Sequence, residues 1–176
     1  MAQSKPKMIT SVFRDRYDAI ETYDWLRVLG YTPDQISVLM SDQTRSYYAN
    51  EVKEGKIERG SKLAEGAATG GALGTAIGAG LAAFAAIGTS LVLPGLGLVI
   101  AGPIAAAFAG GGAGAVAGGL IGGLVGYGIP ESNAKAYEEA LREGGVAVGV
   151  VPRNSEEASL IRKEFEKRRG DNIITA

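Results

Sequence analysis

Hydrophobic positions along this chain change their spacing twice. Near the start, Met8-Ile9-Thr10-Ser11-Val12-Phe13 is a short run of large and β-branched residues with an abrupt polar end, which predicts a strand. Asp15 then caps a helix, with Asp18 in the first turn, where the dipole favours acid. Ala19, Ile20, Tyr23 and Leu26 form its inner stripe, flanked by Trp25 and Leu29, and Gly30 ends it. Tyr31-Thr32-Pro33-Asp34 reads as a turn, and Ile36-Ser37-Val38-Leu39-Met40 as a second strand. Residues 8–43 thus predict a β-α-β unit. A polar lead-in of mixed charge follows over 44–62, with Tyr47 and Tyr48 at the start of an amphipathic helix. Those tyrosines suit either a lipid headgroup layer or packing on the small domain.

The second regime is the run from Gly66 to Pro130, which has no Asp, Glu, Lys, Arg or His. Small residues recur every fourth position at Gly66, Gly70, Gly74 and Gly78, and again at Gly102, Ala106, Gly110, Gly114, Gly118, Gly122 and Gly126. That spacing places them on one helical face, which lets another helix approach backbone to backbone. Leu73, Ile77, Leu81 and Phe84 lie opposite the first row, and Leu120, Leu124 and Tyr127 opposite the second. An interior glycine costs a helix about 1 kcal/mol relative to alanine, so close packing or lipid must offset it. Pro94, Gly95, Gly97 and Pro103 break the run, which predicts a hairpin over 63–129 with helices near 63–92 and 103–128. A helix of about 25 residues reaches about 38 Å, enough for a hydrocarbon core of about 30 Å. Lys53, Lys56, Arg59 and Lys62 favour a cytoplasmic side for the flanks, although Glu51, Glu54, Glu58 and Glu65 are interleaved.

After the run, ordinary amphipathic spacing returns over 130–176. A helix near 132–143 carries Ala136, Tyr137, Ala140 and Leu141 on its apolar stripe and stops at Gly144-Gly145. It reads as an extra piece linking hairpin to sheet. Val146-Ala147-Val148-Gly149-Val150-Val151 predicts a third strand with one valine face and one small face. Asn154 and Glu157 have the spacing of a capping box for a last helix, in which Ala158, Ile161 and Phe165 face inward. Arg162, Lys163, Lys167, Arg168 and Arg169 face outward, and Asn172-Ile173-Ile174-Thr175 is a short fourth strand. With the insert removed, the order predicts an α+β chain: a ferredoxin-like four-stranded sandwich split between its second and third strands by the long glycine-zipper helical hairpin.

Composition narrows the chemistry. The formal net charge is −1, which gives no electrostatic case for nucleic acid. The sequence has no cysteine and no histidine, so it lacks thiolate ligands, the commonest general base and every Ser-His or Cys-His arrangement. No catalytic, cofactor-binding or metal-binding residues are expected. Gly112-Ala113-Gly114-Ala115-Val116-Ala117 matches a loose dinucleotide fingerprint, but it falls within the longer every-fourth-residue register, which helix packing explains better. Asp15 with Asp18, and Glu138 with Glu139, fit caps or solvated helix faces better than paired acid and base. No apolar h-region precedes Arg14, which predicts no cleavable signal peptide.

Several segments resemble one family. They are Val12-Phe13 with Arg16-Tyr17-Asp18-Ala19, Leu29-Gly30-Tyr31, Ile36-Ser37-Val38-Leu39-Met40-Ser41, Glu65-Gly66-Ala67-Ala68-Thr69-Gly70-Gly71 and Gly88-Thr89-Ser90-Leu91-Val92-Leu93-Pro94-Gly95-Leu96-Gly97. Ala101-Gly102-Pro103, Gly128-Ile129-Pro130-Glu131 and Glu143-Gly144-Gly145 continue the likeness. Over nearly its whole length the chain resembles the general stress protein 17M-like family, and within it the low-temperature-induced bacterial proteins. Members commonly carry a histidine before a proline in the third-strand region, where this chain has Val151 before Pro152. The resemblance implies bacterial stress induction and no assigned catalytic residues.

The expectation is a non-enzymatic stress-response protein that self-assembles through the glycine-zipper hairpin. Its partners would be its own copies and the lipid bilayer, with no nucleic acid and no metal. It would sit in the cytoplasmic membrane with the α/β domain in the cytoplasm. A soluble cytoplasmic scaffold (a ring, tube or shell with the hairpins as its core) is the alternative, and a small-solute pore a weaker one.

Overall fold

The structure, a computed structural model, describes residues 7–53, 91–93, 97–110 and 112–176. Strand β1 (Ile9–Phe13) leads into α1 (Arg16–Val28), and β2 (Ile36–Ser41) into α2 (Asp42–Lys53). Next come β3 (Leu91–Leu93), β4 (Leu98–Ala101), α3 (Pro103–Gly110) and α4 (Gly112–Tyr127). The chain continues through α5 (Glu131–Arg142), β5 (Val146–Val150), α6 (Ser155–Lys167) and β6 (Asp171–Thr175).

The strands form one six-stranded sheet in the order β3-β4-β2-β5-β1-β6, and each neighbouring pair is antiparallel. β5 lies between β1 and β2, with Val146 opposite both Phe13 and Met40. Strand alternation sends Val146, Val148 and Val150 to one side of the sheet and Ala147 to the other. On the valine side, Ile20, Tyr23 and Leu26 of α1, Tyr48 of α2, and Ile161 and Phe165 of α6 share a core with Ile9, Phe13, Ile36, Val38 and Met40. Both long helices are capped as the sequence predicts. Asp15 accepts from Tyr17 N at 2.8 Å, and Asn154 from Glu157 N at 2.8 Å.

The opposite side is equally buried. Val12, Leu39, Ile100 and Ala147 pack with Ile104 and Phe108 of α3, Leu120 and Leu124 of α4, and Ala134, Tyr137, Ala140 and Leu141 of α5. α3 and α5 contact the sheet, and α4 packs against both of them. The arrangement is therefore three layers, helices on each side of a sheet, with a core on both faces.

Three expectations change. The break at 93–97 is not the turn of a helical hairpin, because Leu91–Leu93 pairs with β4 and β4 pairs with β2, with Leu39 opposite Ile100. Leu98-Val99-Ile100-Ala101 is a short apolar run bounded by Gly97 and Gly102, and such runs look alike in helices and buried strands until a neighbouring edge accepts them. Without β4, the backbone groups along that side of β2 would lack their partners. The single rod expected over 103–128 is two helices, and α4 itself contains a non-helical residue, Gly119, at φ 59° and ψ −145°. Glycine-rich backbone breaks readily where no side-chain packing holds it helical. The helix expected as a mere link near 132–143 is α5, which lies directly on the sheet. Of the helix expected over 63–92, residues 63–90 lie outside the described residues, and the rest is strand. Among the described residues, no helix is long and apolar enough to cross a membrane.

Gly102 shows how tightly the inserted segment is seated. Its φ is +76°, and a Cβ there would lie 2.7 Å from the carbonyl carbon of Ile36 and 2.8 Å from Ser37 Cα. Both the conformation and the space require glycine. Gly102→Ala should destabilise the protein by about 2–4 kcal/mol in urea unfolding. Gly118→Ala, where a Cβ meets nothing within 4 Å, should change stability by less than about 1 kcal/mol.

Candidate functional site

The feature that distinguishes this chain is the glycine-rich segment, which contributes α4 to the fold. Leu120 and Leu124 are buried, while Gly118, Val125 and Gly126 are exposed. Spacing of four keeps the two leucines on one face, and Gly122 and Gly126 share the face roughly opposite. The leucine face packs into the chain's own second core. The glycine that does permit a close approach is Gly123, one place off the predicted row. A Cβ there would come within 2.8 Å of Phe108 Cδ1, so the α3 ring lies directly against bare backbone. The every-fourth-residue pattern could not reveal Gly123, because its contact is with an aromatic ring from α3 and not with a second glycine row.

The remaining predicted positions separate. Gly97 occupies the exposed turn between β3 and β4 at φ +60°, and Gly102 abuts β2. Pro103 opens α3, Gly110 closes it, and Gly114 lies within α4. Gly122 is half-buried. Gly66, Gly70, Gly74, Gly78, Pro94 and Gly95 lie outside the described residues. A Cβ at Gly118 or Gly126 would meet nothing within 4 Å, so the outer small-residue face makes no contact there within the described chain.

The charged clusters are engaged locally. Arg169 pairs with Asp18 at 2.8 Å and Arg168 pairs with Glu164, while Arg162 donates to Thr175 Oγ1 at 2.6 Å. Lys167 lies 3.5 Å from Glu164. Asp15 serves as the α1 cap and Glu138 holds Arg142 at 2.7 Å, so neither proposed carboxylate pair faces an open site. Tyr48 is fully buried and donates to the Arg16 carbonyl at 3.0 Å. Tyr47 packs edge-on against it and carries the Arg16 guanidinium 3.9 Å above its ring. The tyrosine pair therefore packs on the α/β domain.

A second feature escaped the sequence because its parts come from three segments. Arg16 of α1, Gln43, Thr44 and Tyr47 of α2, and Arg142, Glu143 and Gly144 at the end of α5 line an open cleft of about 190 Å³. Thr44 Oγ1 shares a hydrogen bond of 2.8 Å with Ser41 Oγ and lies 3.3 Å from the Gly144 carbonyl, which ties α2 to α5 at the floor. Glu143 is engaged by Arg14, which also donates to Asp171 at 3.1 Å. Among the described residues, no group of three or more potential metal ligands converges. Comparison with protein-family models, curated proteins and solved structures finds no match.

One buried acid stands apart. Asp24 on α1 is 5% exposed, and its Oδ1 has no hydrogen-bond partner. Burial, reinforced by Glu21 and opposed by Arg27, pushes its carboxyl up to about 7. The folded state therefore holds a proton that the unfolded chain releases near pH 4, so stability falls as pH rises through 7. The measured unfolding free energy should drop by about 2 kcal/mol between pH 5 and pH 8. Asp24→Asn should abolish most of that slope and raise stability at pH 8.

Proposed function

We propose that this chain is a non-enzymatic protein of the bacterial stress response that works by self-association, with the glycine face of α4 as its contact. The observation that carries this reading is the orientation of α4: its leucines are used within the chain's own core, and Gly118, Val125 and Gly126 are left outward. Glycines beside one exposed valine leave room for a helix from another copy to approach closely. We read β2-β5-β1-β6, with α1 and α6 on one side, as a ferredoxin-like sandwich that β3 and β4 extend. The resemblance to the stress-protein family supports the biological setting, and the absence of histidine and cysteine supports a non-catalytic role.

A soluble homo-oligomeric scaffold fits this geometry better than a transmembrane hairpin. Lys53 ends a helix that packs on β2 and β4, and Leu91 begins a strand of the same sheet. Two helical crossings need about 40 apolar residues, whereas the uncharged stretch from Gly66 to Ser90 offers about 25. That same uncharged stretch supports the second reading, shallow association with a membrane surface from the cytoplasmic side.

Light scattering after gel filtration in detergent-free buffer tests the main reading. The wild type should elute as a multiple of the 18.1 kDa protomer. Gly118→Leu with Gly126→Leu should reduce it to a monomer of unchanged circular dichroism. A monomeric wild type, or an assembly indifferent to both leucines, would sink the proposal. Recovery only in a membrane pellet that resists carbonate would favour insertion instead.

A further inference from the structure

The cleft between α1, α2 and α5 has a chemistry that self-association does not use. Its central group is Arg16. Among the described residues, Arg14, Arg45, Arg142, Arg153 and Arg168 each pair with a carboxylate. Arg16 does not; its guanidinium stacks on Tyr47 at 3.9 Å. Stacking occupies the flat face of a guanidinium and leaves its edge of N–H donors for a planar or tetrahedral oxyanion. The ring beneath it is fixed, because Tyr47 donates to Glu51 Oε1 at 2.7 Å and Tyr17 donates to the same oxygen at 3.2 Å. The cation is thus oriented before any ligand arrives.

The walls are compatible with negative charge. Arg142 supplies a second cation on a side chain that is 74% exposed and pairs with Glu138 at 2.7 Å. Gln43 and Thr44 occupy the first turn of α2, where the helix dipole is positive. Of the acids nearby, Glu143 pairs with Arg14 and Asp42 with Arg45 at 2.7 Å, while Glu51 accepts from Tyr17 and Tyr47. Size sets the class of ligand. Sites for drug-sized molecules enclose about 300–1,000 Å³, and this cleft encloses about 190 Å³. It suits a single phosphate or a short carboxylate and is too small for a nucleotide.

We propose that this cleft binds a small oxyanion, with Arg16 as the principal ligand, Arg142 as the closing cation, and Gln43 as a neutral donor. The cleft lies where α1 and α2, from the valine side of the sheet, meet the end of α5, and it includes none of the exposed positions Gly118, Val125 and Gly126 of α4.

Equilibrium dialysis of the full-length chain against labelled inorganic phosphate, at fixed ionic strength in sodium chloride, tests this. Saturable uptake approaching one phosphate per chain is expected. Arg16→Gln should weaken it by about tenfold or more, the loss of a charge-assisted bidentate contact. Arg142→Gln should weaken it less, and Arg162→Gln on α6 should leave it unchanged. Acetate that displaces phosphate at lower concentration than phosphate itself assigns a carboxylate ligand; the reverse order assigns phosphate. Uptake that is non-saturable, or equal in Arg16→Gln and wild type, would overturn the proposal. If Arg16→Gln does not fold, the exposed Arg142→Gln variant decides: wild-type affinity there would equally overturn it.

Discussion

The constraint on which this molecule depends is the burial of both faces of an antiparallel sheet. β1, β2 and β4 carry large or branched residues on each side, as Val12, Leu39 and Ile100 oppose Phe13, Val38 and Val99, and β5 is buried on both faces with valines on one and Ala147 on the other. A sheet with one wet face alternates apolar and polar residues, and these strands do not. Two helices per side-chain layer are not enough here. α1 and α6 protect the valine side with help from α2, and the other side stays open until α3, α4 and α5 arrive. The glycine-rich segment therefore has an internal duty, and its later portion is as much a part of the domain as β1.

This explains why α4 is so thin. Its leucines meet the core while Gly123 lets the Phe108 ring lie against its backbone. Bulk at that point would lift α4 from α3 and expose Leu120 and Leu124. Glycine therefore serves two purposes in one helix: a close internal fit at Gly123, and a bare outer face at Gly118 and Gly126. The glycine content lowers intrinsic helix stability, and tertiary contact with α3 and α5 offsets that loss.

Much of the outer frame was legible in the sequence. The stripe Ala19, Ile20, Tyr23 and Leu26, the caps Asp15 and Asn154, and the valine alternation in β5 each follow a local rule that the core then obeyed. The insert was less legible for a physical reason. A run of Gly, Ala, Leu and Val lacks polar residues, and without them no pattern distinguishes a strand from a helix or a lipid face from a protein core. Leu98–Ala101 became a strand because β2 offered an open edge, a fact held elsewhere in the chain. The cleft around Arg16 was illegible for another reason: α1, α2 and α5 meet there only after folding. Asp24 is buried only by neighbours that folding brings to it.

The position of β1 has a kinetic consequence. It is hydrogen-bonded on one side to β5 and on the other to β6, with Ile9 opposite both Val150 and Thr175. A chain emerging at roughly 5–20 residues per second leaves that first strand without either neighbour for on the order of ten seconds or more. Over the same interval the whole uncharged glycine-rich stretch is translated, before the last strand can close the sheet. Such long-range pairing makes folding slow. The nascent protein must therefore pass through a period in which an unpaired apolar strand and an uncharged glycine-rich segment are exposed together, a natural point for chaperone capture.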